Sequence, residues 1–167
     1  GVPTRMVQGR RITDQKSIDA TSMVLNGLVN TRILAICRDL DIDAVGISGV
    51  DAGLVRAHRR PPVTMSDGET VDFGFVGDID AVDPTVIRKL LDNGLMPVIS
   101  PLSADSHGTL LNINADTVAA AIGAALSAEK LILCTGAPGI LERVEDPSSV
   151  ISYTDLRGLK KMREDGS

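Results

Sequence analysis

Aromatic side chains are nearly missing from this sequence: its 167 residues hold Phe73, Phe75 and Tyr153 and no tryptophan. Stacking platforms for bases or sugars are therefore excluded, and a core must be built from Val, Ile, Leu, Ala and Met. Cysteine is scarce as well. Cys37 and Cys134 stand far apart inside apolar runs, too few for a disulfide framework and without the C-x-x-C spacing of a zinc site. Such cysteines read as small buried hydrophobes, and a reducing, cytoplasmic setting is expected. No run approaches ~20 uninterrupted apolar residues, so no membrane span is expected. Residues 1–11 lack the apolar centre of a secretory signal. An excess of positive charge is also missing. Lys and Arg number 17 against 22 Asp and Glu, a net charge of −5 and a pI near 4.9, so the general positive field of a nucleic-acid binder is absent.

What is present is the balance of a globular domain, 43% apolar and 23% charged. At this length one domain, or a piece of a larger one, is expected. The basic stretches 56–60 and 157–163 read as solvated faces. Asp39, Asp41 and Asp43 read as a solvated edge rather than a metal site. His58 and His107 have no Ser or Cys partner at a suggestive spacing, so no nucleophile with its base is legible.

Apolar periodicity supplies the elements. Thr13 is placed to cap a helix, with Asp14 near its positive end. From Ile18 to Leu40 apolar residues recur at helical spacing, interrupted by Asn26 and Gly27, which predicts a kinked helix or two helices. Residues 44–47 read as a buried strand, and 54–58 and 71–76 as paired strands joined by a loop with Pro61, Pro62, Asp67 and Gly68. A βα rhythm follows: a helix from Pro84 to Gly94, a strand at 96–99, a turn at 105–108, a helix at 117–126, a strand at 131–134, and a last charged helix opened by Thr154 or Asp155. Continuous apolar strands separated by helices imply an α/β fold with a mainly parallel sheet. Ligands in such folds bind at the carboxyl ends of strands.

The strongest constellation is Asn112, Asn114 and Asp116, spaced i, i+2 and i+4 where a strand gives way to a helix. Extended backbone would aim all three the same way. N-capping needs one such residue; three suggest a small polar ligand. Arg11, just before a helix start, could hold a carboxylate in a bidentate fork, although on local sequence alone an exposed basic terminus is the better reading. Thr135-Gly136-Ala137-Pro138-Gly139 follows an apolar strand, where backbone amides could face a phosphate, but it is neither a Walker motif nor a Rossmann fingerprint. Gly74 and Gly77 mark a place where backbone approaches a ligand or a neighbouring chain closely.

In their order, seven segments resemble the acetylglutamate kinases of the amino-acid kinase family: Gly9-Arg10-Arg11-Ile12-Thr13-Asp14, Met23-Val24-Leu25-Asn26-Gly27-Leu28-Val29-Asn30, Ala44-Val45-Gly46-Ile47-Ser48-Gly49, Gly74-Phe75-Val76-Gly77-Asp78-Ile79, Leu95-Met96-Pro97-Val98-Ile99-Ser100-Pro101, Asn112-Ile113-Asn114-Ala115-Asp116 and Ala128-Glu129-Lys130-Leu131-Ile132-Leu133. The resemblance implies a three-layer αβα sandwich around a central, mainly parallel sheet, one kinase domain over 1–167. It implies ATP-dependent phosphorylation of the side-chain carboxylate of N-acetyl-L-glutamate, with magnesium held mainly by the phosphates. Arg11 and Asn112 match substrate-binding residues and Asn114 is expected beside them. Asp116 matches the aspartate that organises catalytic lysines. Thr135, Gly136, Ala137, Pro138, Gly139, Ile140 and Leu141 cover the nucleotide-binding turn. The family also implies a homo-oligomer, dimer or hexamer, with the apolar helix at 23–40 as the face toward another subunit. Arginine feedback depends on parts outside this chain, and a PII-type regulator stays open.

Three departures accompany the match. Nothing upstream of Gly9 supplies the family's lysine-bearing glycine-rich strand and Gly-Gly loop. The second catalytic lysine of the family falls beyond Ser167. Gly136 stands where the family usually has aspartate. The chain is thus expected to be an internal fragment, inactive alone. The alternatives are a non-catalytic amino-acid-sensing domain, as in acetylglutamate synthases, or a kinase for acetylaminoadipate or another amino acid.

Overall fold

Asp14, not Thr13, starts the first helix. In a computed structural model, which describes residues 6–7, 10–65, 68–137, 139–143 and 145–165, the Asp14 backbone is extended and its carboxylate accepts a hydrogen bond from the Ser17 amide at 2.7 Å. That is the geometry of an N-cap. The bonds from Ser17 hold the Asp14 carboxyl below its ordinary value. Thr13 is instead buried and bridges Gly74 in parallel.

Residues 1–131 and 132–167 form two units. In the first, a two-residue pair of β1 (Met6–Val7) and β2 (Arg10–Arg11) leads into α1 (Gln15–Ser22), a π-helical segment (Met23–Val29) and α2 (Asn30–Asp39). Asn26 and Gly27 therefore widen the helix rather than break it: helical hydrogen bonding runs unbroken from Gln15 to Asp39. Then come β3 (Ala44–Ser48), β4 (Val55–Arg59), β5 (Val63–Thr64), β6 (Thr70–Val71), β7 (Gly77–Val82), α3 (Thr85–Asp92), β8 (Met96–Ser100), β9 (Leu102–Ala104), β10 (Leu110–Asn112) and α4 (Ala115–Leu126).

The α/β class stands, with parallel and mixed sheets. Strands β3 and β8 pair in parallel, residue for residue from Ala44 with Met96 to Ser48 with Ser100. A four-stranded sheet runs β10-β9-β4-β7, in which β4 meets β9 in parallel and β7 antiparallel. Helix α2 lies against β3 and β8, α3 against β8, and α4 against β7. The core gathers Leu54, Val55, Ala57, Ile87, Leu111, Ile113, Val118 and Ile122.

The partner of β4 differs from the expected one. It is β7, not 71–76, and the loop between carries the small β5–β6 hairpin. The cause is Gly74, whose φ of +73° breaks regular extension and turns residues 73–76 toward other neighbours. The helix expected at 117–126 begins at Ala115, because Asn114 caps it by accepting from the Thr117 amide at 3.0 Å. Asp83 likewise accepts from Thr85 at the head of α3.

The strand expected at 131–134 is irregular, with Ile132 80% exposed. Apolar character makes a strand only where a neighbouring edge accepts its ladder, and these residues belong to no described ladder. Cys134 is exposed rather than buried. Leu141 bridges Val150 antiparallel, and Asp155 accepts from the Gly158 amide in the first turn of α5 (Leu156–Asp165).

Candidate functional site

The first unit brings two distant stretches together through a third. At residues 73–75 the Thr13 amide donates to the Phe73 carbonyl at 3.0 Å, and the Phe75 amide donates back to the Thr13 carbonyl at 2.8 Å. On the other side the Asn112 amide donates to the Phe75 carbonyl at 2.8 Å, and Val76 bridges Asn112 in parallel. Asn112 Nδ2 lies 3.5 Å from Thr13 Oγ1, at the outer limit of a hydrogen bond. Thr13 and Phe73 are each 1% exposed, which fixes this floor by burial as well as by hydrogen bonds.

Gly74 is why the three segments can meet. A Cβ there would collide with the Thr13 carbonyl oxygen. Gly77 is similarly crowded, by Leu111 and Ile113. The close approach expected at both glycines is thus to neighbouring backbone and side chains of this chain.

Arg11 ends β2, two residues before Thr13; its side chain lies outside the described residues. Asn112 ends β10, half-buried. Ile113 turns into the core, and Asn114 turns outward at the start of α4. Asn114 spends its Oδ1 on the cap, with Thr117 N at 3.0 Å and Thr117 Oγ1 at 3.3 Å, so half of its amide is committed to structure. Asp116 is helical rather than extended. It sits exposed in the first turn of α4, and its carboxylate takes no hydrogen bond or ion pair from a described residue. The positive end of the helix favours that charge. Alternation therefore holds for Asn112, Ile113 and Asn114, and the helix carries Asp116 onward.

In the second unit Thr135 Oγ1 accepts from the Ala137 amide at 3.1 Å, and Gly139 has φ +145°. Pro138 lies outside the described residues. No atom of a described residue stands within 4 Å of where a Gly136 Cβ would project. Gly136, Ala137 and Gly139 are exposed, as is Ile140, while Leu141 is half-buried in its bridge to Val150.

The basic stretch 56–60, on β4 and the residue after it, is a largely exposed face with ion pairs of its own. Three of its side chains meet an acid: His58 Nδ1 with Asp80 at 2.6 Å, Arg59 with Asp72 at 2.8 Å, and Arg60 with Asp78 at 2.6 Å. Asp78 holds the Arg60 guanidinium above its ordinary value. A cavity of about 600 Å³ lined by Arg56, His58, Asp80, Asp105 and His107 contains none of Arg11, Asn112, Asn114 or Asp116. Asp105 there closes a turn, accepting from the Thr109 and His107 amides. Sequence reasoning missed Thr13 as part of the floor, and missed Arg59. The signal that pointed there was the Gly74 and Gly77 spacing.

The α/β fold has relatives among known proteins. The model of the Amino acid kinase family matches residues 1–166, and the chain belongs to that family. Within it, the chain is 45% identical to the acetylglutamate kinase of Myxococcus xanthus over 99% of its length and 56% of that protein. It is 43% identical to that of Methanopyrus kandleri, over 99% and 67%, and 46% identical to the chloroplastic acetylglutamate kinase of Arabidopsis thaliana, over 99% and 46%. The chain thus spans about half to two thirds of the curated relatives it matches. Among solved structures, a Streptococcus mutans protein aligns with TM-score 0.77 at 26% identity, over 99% of this chain and 62% of that one. The acetylglutamate synthase of Neisseria gonorrhoeae aligns with TM-score 0.67 at 26% identity, over 83% and 30%.

Proposed function

We propose that the full-length protein transfers the γ-phosphoryl group of ATP to the side-chain carboxylate of N-acetyl-L-glutamate, the arginine-biosynthetic reaction, in the cytoplasm. A carboxylate oxygen forms the new bond to phosphorus, the bond from that phosphorus to the bridging oxygen breaks, and ADP leaves. The observation that carries the reading is the join at 73–75, which holds the backbone leading from Arg11 and the side chain of Asn112 on one floor. Relatives named acetylglutamate kinase at 43–46% identity support the choice of acceptor.

The reaction asks for positioning and charge neutralisation rather than covalent help. Arg11 grips the acceptor's free carboxylate as a planar fork. Asn112 and the uncommitted nitrogen of Asn114 take its amide and carbonyl groups. Asp116, exposed and without a partner among the described residues, orients the family's catalytic lysines, which residues 1–167 do not hold. Residues 135–141 bind the nucleotide, and magnesium arrives on its phosphates. The long helix leaves Met23, Leu28, Ile36 and Leu40 exposed, and a second copy of the chain covers that face. By length and composition Gln15–Asp39 would also span a bilayer, but Ile18, Asn30 and Cys37 are buried, α2 packs on β3 and β8, and Asn30 Nδ2 donates to the Val98 carbonyl at 3.0 Å. Sheet packing rather than lipid is its environment.

Titration calorimetry on the full-length protein tests the reading. Magnesium-ATP and N-acetylglutamate should both bind, each tightening or tolerating the other. Heat from arginine alone, with none from ATP, would instead identify a sensing module and refute the kinase.

A further inference from the structure

Arg59 has no role among those assigned above, yet its side chain grips the floor segment directly. Its Nε donates to the Gly74 carbonyl at 2.8 Å, and its Nη2 reaches both Asp72 carboxylate oxygens, at 3.0 and 2.8 Å. The same Asp72 accepts from the Gly74 amide at 2.8 Å. The guanidinium carbon sits 5.8 Å from the centre of the Phe75 ring. Gly74 is therefore held at both its amide and its carbonyl, and the next residue is covered by the same cation.

As a stabilising device this is weak, since both side chains are about half exposed, 49% and 52%, and pairs of that kind contribute little. Its effect is geometric. Gly74 is the residue that must adopt positive φ for Thr13 to bond on one side and Asn112 on the other. A carboxylate fork needs its partners placed to a fraction of an ångström, and a displacement of about 1 Å can cost on the order of 100-fold in rate.

Resting on the kinase reading, we propose that Arg59 is a positioning residue for the acidic acceptor. It locks residues 72–75 and so sets the spacing between the Arg11 and Asn112 sides of the site, without touching acceptor or nucleotide. Arg60 supplies an internal control: it is the next residue, makes its own bidentate pair with Asp78, and its side chain bonds none of residues 72–75.

The test compares Arg59→Ala, Arg59→Lys and Arg60→Ala in the full-length protein. Steady-state kinetics and hydrogen exchange at the Phe75 and Asn112 amides are both measured. Arg59→Ala should raise the KM for N-acetylglutamate about tenfold or more, leave the KM for ATP within about twofold, and speed exchange at both amides. Arg59→Lys should recover part of the KM, and Arg60→Ala should change neither readout. An active Arg59→Ala enzyme with unaltered acceptor KM overturns the proposal, as does an equal effect of Arg60→Ala. Wild-type protein that does not phosphorylate N-acetylglutamate refutes the kinase reading instead. Exchange that stays slow in Arg59→Ala overturns the lock itself.

Discussion

At Gly74 a missing side chain decides where two polar segments meet. Its φ of +73° costs an L-residue about 1–2 kcal/mol, and the Thr13 carbonyl oxygen fills the space a methyl group would need. Gly74→Ala should therefore destabilise the protein by at least that amount in urea denaturation; a change under about 0.5 kcal/mol would contradict the geometry. At Asp116, with a carboxylate unengaged by described residues, Asp116→Asn should lower kcat steeply while stability stays within about 0.5 kcal/mol, read by the same denaturation curves. Single residues were unevenly legible in the sequence. Asn112 and Asn114 announced themselves by spacing, because a strand end alternates. Asp116 fitted that spacing although a helix carries it, since i, i+2 and i+4 says nothing about where extension stops. Arg59 was illegible because its partners, Asp72 and Gly74, are 13 and 15 residues away.

Elements follow the same division between local and distant causes. The long helix was readable from apolar spacing, and its π-helical widening coincides with the Asn26-Gly27 interruption. What seats it was not readable. Asn30 is buried at 7% exposure and bonds the Val98 carbonyl, and a Cβ on Gly46 would strike its Oδ1. Nearby, Ser100 Oγ donates to Asn26. Asn30→Ala should cost about 1–3 kcal/mol. Gly46→Ala should cost less in the Asn30→Ala background than in wild type, because the clash goes with the side chain. Additive losses in the double variant would show that Asn30 and Gly46 are not coupled. The strand expected at 131–134 failed because pairing is decided by which edge is free, and an apolar run carries no such information; the expected partner of β4 failed at Gly74, where positive φ ends regular extension.

For the whole molecule, two properties follow from the surface. Carboxylates at caps and turns are held below their ordinary value of 3.8: Asp14 and Asp83 by side-chain bonds from Ser17 and Thr85, Asp72 by the Gly74 amide and then Arg59, Asp105 by the Thr109 amide, and Asp146 by Ser148 and Arg143. A lowered folded value means the contribution is present above about 3.8 and is lost as pH falls through the folded values. The urea midpoint should drop as pH falls below about 3.8, and Asp14→Asn with Asp83→Asn should blunt the drop; an unchanged midpoint would contradict these side-chain bonds. The exposed apolar stripe of the long helix should make the protein a homo-oligomer, which Ile36→Glu with Leu40→Glu should dissociate in sedimentation. A monomeric wild type would contradict that face as an interface. The fold class was legible in the βα rhythm, whereas the site needed coordinates, because its floor joins Thr13, Gly74 and Asn112 across the chain.

The central claim is that Arg11 and Asn112 share one acidic acceptor. Its most direct test is ADP release by the full-length protein with N-acetylglutamate varied at saturating magnesium-ATP, for wild type, Arg11→Ala and Asn112→Ala. The account predicts acetylglutamate-dependent turnover in wild type and an acceptor KM raised about 10- to 100-fold in both variants, with the KM for ATP little changed. Turnover by either variant at the wild-type acceptor KM, or ADP release indifferent to acetylglutamate, would contradict it.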